Sequence, residues 1–351
     1  RQQITHTSHS IFFIRENQNQ IMFTTNPLWI FTLNYVLLST AWNLNQLNLR
    51  ASDYVVTDVS KYYIRSFLCI KSSNESMKIP TLIETIWPEN LLLMISPKIF
   101  PSDLSHARRS SDCNGIIQAV GTAVNKAGLL WVIDNGSRYC PPKLLIFDLM
   151  TNEEIQRFAF NIRRHAFTSI KSVEDGSYNP RGRSDSQAII TLDRADFLIF
   201  YSLNKRRWWK LQLITSDGMV VIPKDIAILG TDKLYASDEC GHLWTAEVDV
   251  HKWTKAKLFN EVRVEFIADL LGTSTALTID PNGSLLYYLP RDGAVVRWNS
   301  RKPLRAENHD VLYLSPTPIV KIIFGSKGSV WIVKESPDYV DDHCKRILLH
   351  F

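Results

Sequence analysis

The chain contains no uninterrupted apolar stretch of the ~20 residues that a membrane-spanning helix requires. It also lacks a dominant charge. Forty Lys and Arg stand against 35 Asp and Glu, a net +5 spread along 351 residues, too weak and diffuse for a nucleic-acid-binding surface. Five cysteines are too few for a disulfide-dense miniprotein. Chemical signatures are missing as well: there is no G-x-S-x-G elbow, no H-E-x-x-H, no P-loop and no C-x-x-C. Hydrolase, metalloenzyme and nucleotide-binding classes therefore have no positive support, and no cofactor or metal is expected. What the chain does have is apolar content: 45% hydrophobic and 21% charged residues are enough for a full core. The length suits two ordinary domains or one large β architecture.

The N-terminus reads as a processing signal. From Met22 the sequence runs MFTTNPLWIFTLNYVLLSTAW, with an apolar core from Leu28 to Leu38 followed by the small residues Ser39, Thr40 and Ala41. That is the order of a secretory signal peptide cleaved after Ala41, although no Lys or Arg lies between Met22 and the apolar core. A buried helix or short membrane anchor is the other reading, but the segment is shorter than the ~20 residues needed to span. Residues 1–21 are polar, rich in Gln and Asn, and read as an upstream extension foreign to the mature protein. The expected organisation is thus extension 1–21, signal peptide 22–41, and one domain over 42–351. Sequons at Asn74, Asn135 and Asn282 agree with export and are candidate glycosylation sites.

After Trp42 no helical period emerges. Short β-branched and aromatic runs alternate with Gly, Asn, Asp and Pro, the pattern of many short strands. Similar strand centres recur at Leu93, Trp131, Ile190, Tyr235, Tyr287 and Trp331, with a spacing near 40 to 55 residues that is the period of propeller blades. Six registers predict an all-β, six-bladed β-propeller with a central channel. Several units share a finer order, an apolar run, a polar turn with Gly, then an aromatic strand: TAVNKAGLLWVID, TALTIDPNGSLLYYL and KIIFGSKGSVWIV. The Gly supplies positive φ, and the aromatic is expected between neighbouring blades.

The segment SSDCNGIIQAVGTAVNKAGLLWVIDNGSRYCPPKLLIFDLMTNEEIQRFAF, from Ser110 to Phe160, resembles the most diagnostic stretch of the insect yellow and major royal jelly protein family. There a Cys-x-Gly element precedes a Leu-Trp-Val-Leu-Asp strand, and a Cys-Pro-Pro-Lys-Leu element opens the next. KIPTLIETIWPENLLLMISPKIFPSDLS, GTSTALTIDPNGSLLYYLPRDGAVVRWNS and VKIIFGSKGSVWIVKESPDY resemble its first, fifth and sixth blades. The resemblance implies a secreted six-bladed propeller and a disulfide between Cys113 and Cys140, stapling one blade to the next and contributing roughly 3–4 kcal/mol by chain entropy. The family's Cys-Trp-Asn in the fifth blade reads Arg297-Trp298-Asn299 here, so Cys69, Cys240 and Cys344 are left without an assigned pairing.

Site candidates follow from the channel, because loops at one end of a propeller gather side chains from every blade. The polar residues ending the inner apolar strands are Asp134 and Asn135, Asp193 and Arg194, Ser237 and Asp238, Arg291 and Asp292, and Lys334 and Glu335. Carboxylates with aromatic neighbours suit an aromatic amine or catechol, by charge pairing and ring stacking. The plainer reading is that most of these carboxylates cap turns or bond backbone amides. His242, His251 and His343 read as solvated or structurally bonded. KRRWWK, Lys205 to Lys210, reads as a hairpin tip with two packed Trp; no nucleic-acid partner is expected, and no membrane partner after signal cleavage. The resemblance adds that some members bind biogenic amines and others are linked to melanin formation. The expected function is therefore a secreted, non-catalytic or amine-binding propeller of cuticle or eggshell pigmentation or hardening. The alternatives are a dopachrome-converting isomerase, in which Asp134 or Asp193 would remove a ring proton, and a nutritive or interaction protein with no ligand.

Overall fold

Runs such as LLWVID and KLLIFD, apolar on both faces and closed by tight turns, form central strands buried on both sides. The computed structural model describes residues 42–348 apart from 75, 90–94, 163–164, 174–185, 231, 256–257, 326–328 and 337–343, and describes the backbone alone of 344–348. The expected extension and signal peptide, the register at Leu93, and His343 lie outside the described residues.

Six sheets, antiparallel apart from one added strand in the third, follow one another along the chain. The first holds β1 (Tyr54–Tyr62), β2 (Arg65–Ser72), β3 (Leu82–Ile86) and β4 (Lys98–Ile99), and the second β5 (Ala119–Val124), β6 (Leu129–Asp134), β7 (Lys143–Asp148) and β8 (Glu153–Ala159). The third runs β9 (Phe167–Val173), β10 (Gln187–Leu192), β11 (Leu198–Ser202), β12 (Arg207–Ile214) and β13 (Val220–Val221). The fourth starts with β14 (Asp225–Leu229), β15 (Lys233–Ser237) and β16 (His242–Glu247). The chain then leaves it through a short helix, α1 (Val250–Trp253), and β17 (Phe259–Arg263), which pairs parallel with β12 of the third sheet. It returns as β18 (Glu265–Asp269), the fourth strand of its own sheet. The fifth sheet is β19 (Thr275–Ile279), β20 (Leu285–Leu289), β21 (Ala294–Trp298) and β22 (His309–Leu314), and the last is β23 (Ile319–Phe324), β24 (Ser329–Lys334) and β25 (Cys344–Leu348).

The first strands of the sheets adjoin in cyclic order, β1, β5, β9, β14, β19 and β23, and β23 returns to β1. This is a β-propeller. The expectation of six equal blades is corrected in part: five sheets have four or more strands, whereas the last has three among the described residues. Five blades are therefore complete.

Apolar clusters fill the spaces between successive sheets, and the recurring aromatics sit in them as expected. Trp131 of β6 meets Tyr201 of β11 edge-on at 6.2 Å, and Trp331 of β24 meets Trp87 at 5.3 Å. Each such residue adds about 2–3 kcal/mol of burial and ~1 kcal/mol of ring geometry. The turn before Trp131 shows why a glycine stands there. Gly128 has φ +78°, a conformation that favours glycine, and a Cβ on it would lie 2.6 Å from the Tyr62 hydroxyl of the first sheet, which would have to move.

Candidate functional site

The diagnostic Cys-x-Gly and Cys-Pro-Pro-Lys elements turn out to build one structural lock. Cys113 and Cys140 are disulfide-bonded, as the resemblance implied, with Cα atoms 5.1 Å apart. The bridge ties the connection between the first and second sheets to the β6–β7 turn. Beneath it lies a buried pair: Lys143 Nζ is 3.4 Å from Asp134 Oδ2, with side chains 3% and 0% exposed. Asp134 also accepts from the amides of Ile117, Gln118 and Gly136 at 2.8, 2.9 and 2.7 Å. Lys143 donates to the carbonyls of Cys113 and Gly115. Asp134 is thus an amide-bonded anchor with no exposed surface, and it takes no part in an open site. Asn135 is occupied in a similar way, its Oδ1 accepting from Phe167 N at 2.7 Å and its Nδ2 donating to Phe167 O at 3.3 Å. That nitrogen is the atom a glycan would need. Asn74 and Asn282 are exposed.

The other candidates separate according to which hairpins reach the wide cavity. All of them end the second strand of their sheet, so the meander topology puts them at one end of the ring. A cavity of about 1140 Å³ opens there between the third and fourth sheets, and it gathers Asp193, Arg194 and Asp238. Arg291 and Asp292, exposed on the β20–β21 turn, do not line it. Ser237 is fully buried, its hydroxyl without a partner among the described residues. Lys334 is buried on β24 with its ammonium 5.9 Å from the Tyr313 ring, and Glu335 takes part in a backbone hydrogen bond from Val56 N to its carbonyl.

The cavity wall also uses residues outside the expected set. Met219, Val220 and Ile222 come from the β12–β13 hairpin, and Trp244 and Phe266 from β16 and β18. Trp244 and Phe266 pack at 5.3 Å, and His242 lies edge-on to both, at 6.1 and 5.8 Å. Asp238 Oδ2 accepts from His242 Nδ1 at 2.8 Å and from Trp244 Nε1 at 3.0 Å. Burial works to raise the pKa of Asp238, but these hydrogen bonds and that of the His242 amide outweigh it and hold the carboxyl below its ordinary value. Four carboxylates line the wall, Asp193, Asp238, Glu239 and Asp269, against two cations, Arg194 and Lys224. The cavity therefore favours a cationic guest over an anionic one.

Thr168, Lys224 and Thr275 also line a narrower space of about 170 Å³ formed by the first strands. Asp58 bonds Lys321 at 2.7 Å and accepts from Thr122 N at 2.6 Å. Lys171 donates to the carbonyl of Leu277 at 3.2 Å, and burial pushes its pKa down. No repeat in the sequence points to these axial groups, since they sit within strands, not at strand ends. The KRRWWK hairpin tip is as expected, with Trp209 buried and Arg207 5.3 Å from its ring.

Two other expectations are refined. Arg297, where the family has a cysteine, forms an ion pair with fully buried Asp280 at 2.9 Å and bonds Ser284 Oγ at 3.2 Å. Cys69 is buried and Cys240 exposed, both as free thiols.

Radial sheets, a closed ring of first strands and an end cavity define the class: a β-propeller with a pocket at one mouth. Comparison places it further. A family model for the major royal jelly proteins matches residues 117–223. Major royal jelly protein 6 of Apis mellifera is 26% identical over 293 residues, covering 76% of this chain and 65% of its own length. Dopaminechrome tautomerase of Drosophila melanogaster is 28% identical over 126 residues, 32% of this chain and 26% of its own. Among solved structures, YCF48 from Cyanidioschyzon merolae superposes with a TM-score of 0.51 at 10% identity, covering 84% of this chain and 80% of that one, which shows the fold alone. The chain is thus similar to the major royal jelly proteins, most directly over residues 117–223. It spans less than two thirds of the length of the curated relatives it matches first. No helix among the described residues is long and apolar enough to cross a membrane.

Proposed function

We propose that this chain is an exported, non-catalytic propeller whose mouth cavity holds a small protonated amine carrying an aromatic or catechol ring. The observation that carries this reading is the cavity wall itself, four carboxylates facing two cations beside the Trp244 and Phe266 rings. A cationic ammonium gains by pairing with Asp193 or Asp269, and a flat ring gains by contact with the exposed Phe266 face. Similarity to the major royal jelly proteins, the Cys113–Cys140 disulfide and the exposed sequons support an extracellular setting, because disulfides persist in oxidising compartments. A role in pigmenting or hardening cuticle or eggshell belongs to the same reading, as does a six-bladed ring.

Calorimetric titration with dopamine, serotonin and histamine tests this proposal. Binding of at least one amine, weakened about tenfold by Asp193→Asn, is the expected result; no heat from any of the three refutes it and leaves the nutritive, ligand-free reading.

A second reading, conversion of a dopachrome-like quinone, is favoured by the similarity to dopaminechrome tautomerase. Of the two carboxylates expected to act as base, Asp193 alone lies on the cavity wall. Decay of dopachrome absorbance faster than the spontaneous rate, abolished in Asp193→Asn, would establish it.

A further inference from the structure

The turn between β15 and β16 reads Asp238-Glu239-Cys240-Gly241-His242. It brings together three donors of different chemistry: a carboxylate oxygen, a thiol sulfur and an imidazole nitrogen, all within 4.8 Å of one another. We propose that Asp238, Cys240 and His242 form a binding site for a divalent transition metal of the zinc class, open to the mouth cavity.

Several features show a turn shaped for this. Asp238 Oδ1 accepts from the amides of Cys240 and His242, both at 2.9 Å, which fixes the backbone while leaving Oδ2 turned toward the donors. Gly241, at φ +89°, lets the chain double back, and its Cβ position lies 3.0 Å from the Gly272 carbonyl group, so only glycine fits. The His242 ring, flanked by Trp244 and Phe266, presents Nδ1 to Asp238 while Nε2 faces Asp269 Oδ1 at 3.6 Å. A metal-bound histidine ordinarily gives its second nitrogen to a carboxylate in this way. Trp244 Nε1 likewise supports the Asp238 carboxylate.

Ligand type narrows the metal. A sulfur and an imidazole disfavour Mg²⁺ and Ca²⁺, which take oxygen, and suit Zn²⁺ or Co²⁺ in tetrahedral geometry. Three protein ligands leave a fourth position, which faces the cavity and can hold water or a guest. Binding displaces the thiol proton of Cys240 into solvent, so affinity rises with pH. None of this depends on the amine reading, and the probes below contain no amine.

The test uses the full chain stripped with a chelator, then titrated with Zn²⁺ or Co²⁺. Cys240 is exposed and free, so Cys240→Ser should fold as the parent does. The parent is expected to bind one more equivalent of Zn²⁺ than Cys240→Ser, and the comparison cancels binding at other histidines. The Co²⁺ form should show a thiolate-to-metal charge-transfer band that this variant lacks. Zn²⁺ should slow alkylation of Cys240 at least tenfold, Asp269→Asn should weaken binding about tenfold, and His242→Ala should abolish the extra equivalent. Equal stoichiometry in parent and Cys240→Ser, or no charge-transfer band, or alkylation of Cys240 indifferent to Zn²⁺, overturns the proposal.

Discussion

Replacing Lys143 by Met isolates the contribution of the buried lock under the disulfide. The ammonium is 3% exposed and Asp134 0%, so solvent does not screen them. Removing it leaves a buried carboxylate without its counter-charge and two carbonyls, of Cys113 and Gly115, without their donor. Breaking a buried pair from one side costs about 3–5 kcal/mol. At about 2 °C per kcal/mol for a large domain, Tm falls by about 6–10 °C. Asp134→Asn should be at least as damaging, because an amide group would turn a donor toward one of the amides that Oδ1 and Oδ2 now accept from. Differential scanning calorimetry of the oxidised proteins measures both. A second readout separates this from general loosening: the Cys113–Cys140 bridge should be reduced by a small thiol several-fold faster in Lys143→Met, since the segment carrying Cys113 loses its anchor. A Tm shift under 2 °C, with an unchanged reduction rate, would refute the assignment of this pair as the lock.

Burial pushes the hydroxyls of Tyr54, Tyr201 and Tyr287 up to about 12. These groups bind their protons more tightly folded than unfolded, so the stability they contribute is complete below pH 10 and is lost as pH rises toward 12; phenolate absorbance should rise in two phases, the later one coinciding with unfolding. Arg297→Ala should cost about 3 kcal/mol in urea unfolding, because Asp280 is left buried without its cation. Glycopeptide mapping of secreted protein should find glycan at Asn74 or Asn282 and none at Asn135, whose Nδ2 is held by Phe167.

The propeller was legible because its blades repeat one local grammar: each Gly turn and following aromatic, such as Gly128 with Trp131, reports its own sheet and the space beside it. The site was less legible. Position at a strand end says where Asp134 stands along the chain, but not that its carboxylate folds back onto the amides of residues 117 and 118. The wide cavity owes its apolar wall to β13, an extra hairpin strand belonging to no repeat, and to β18, reached through the excursion that adds β17 to the third sheet. The axial groups Asp58, Lys171 and Lys321 come together only on closure, from strands far apart in sequence. His242 looks solitary in the sequence because its partners Asp238 and Trp244 matter through the geometry of the turn, which spacing alone does not reveal.

Closure has a consequence for biosynthesis. Five of the six junctions around the axis are made between consecutive stretches of chain, but the last joins the earliest sheet to the latest. It is held by Trp87 against Trp331, by Glu89 receiving Ser329 and Trp331, and by Val56 bonding Glu335. A nascent chain must therefore keep the flank of its first sheet uncovered until the sixth sheet has been made. Before that moment the molecule is an open arc with two sticky faces, and loss of Trp331 should trap it there, visible as prolonged retention by folding helpers.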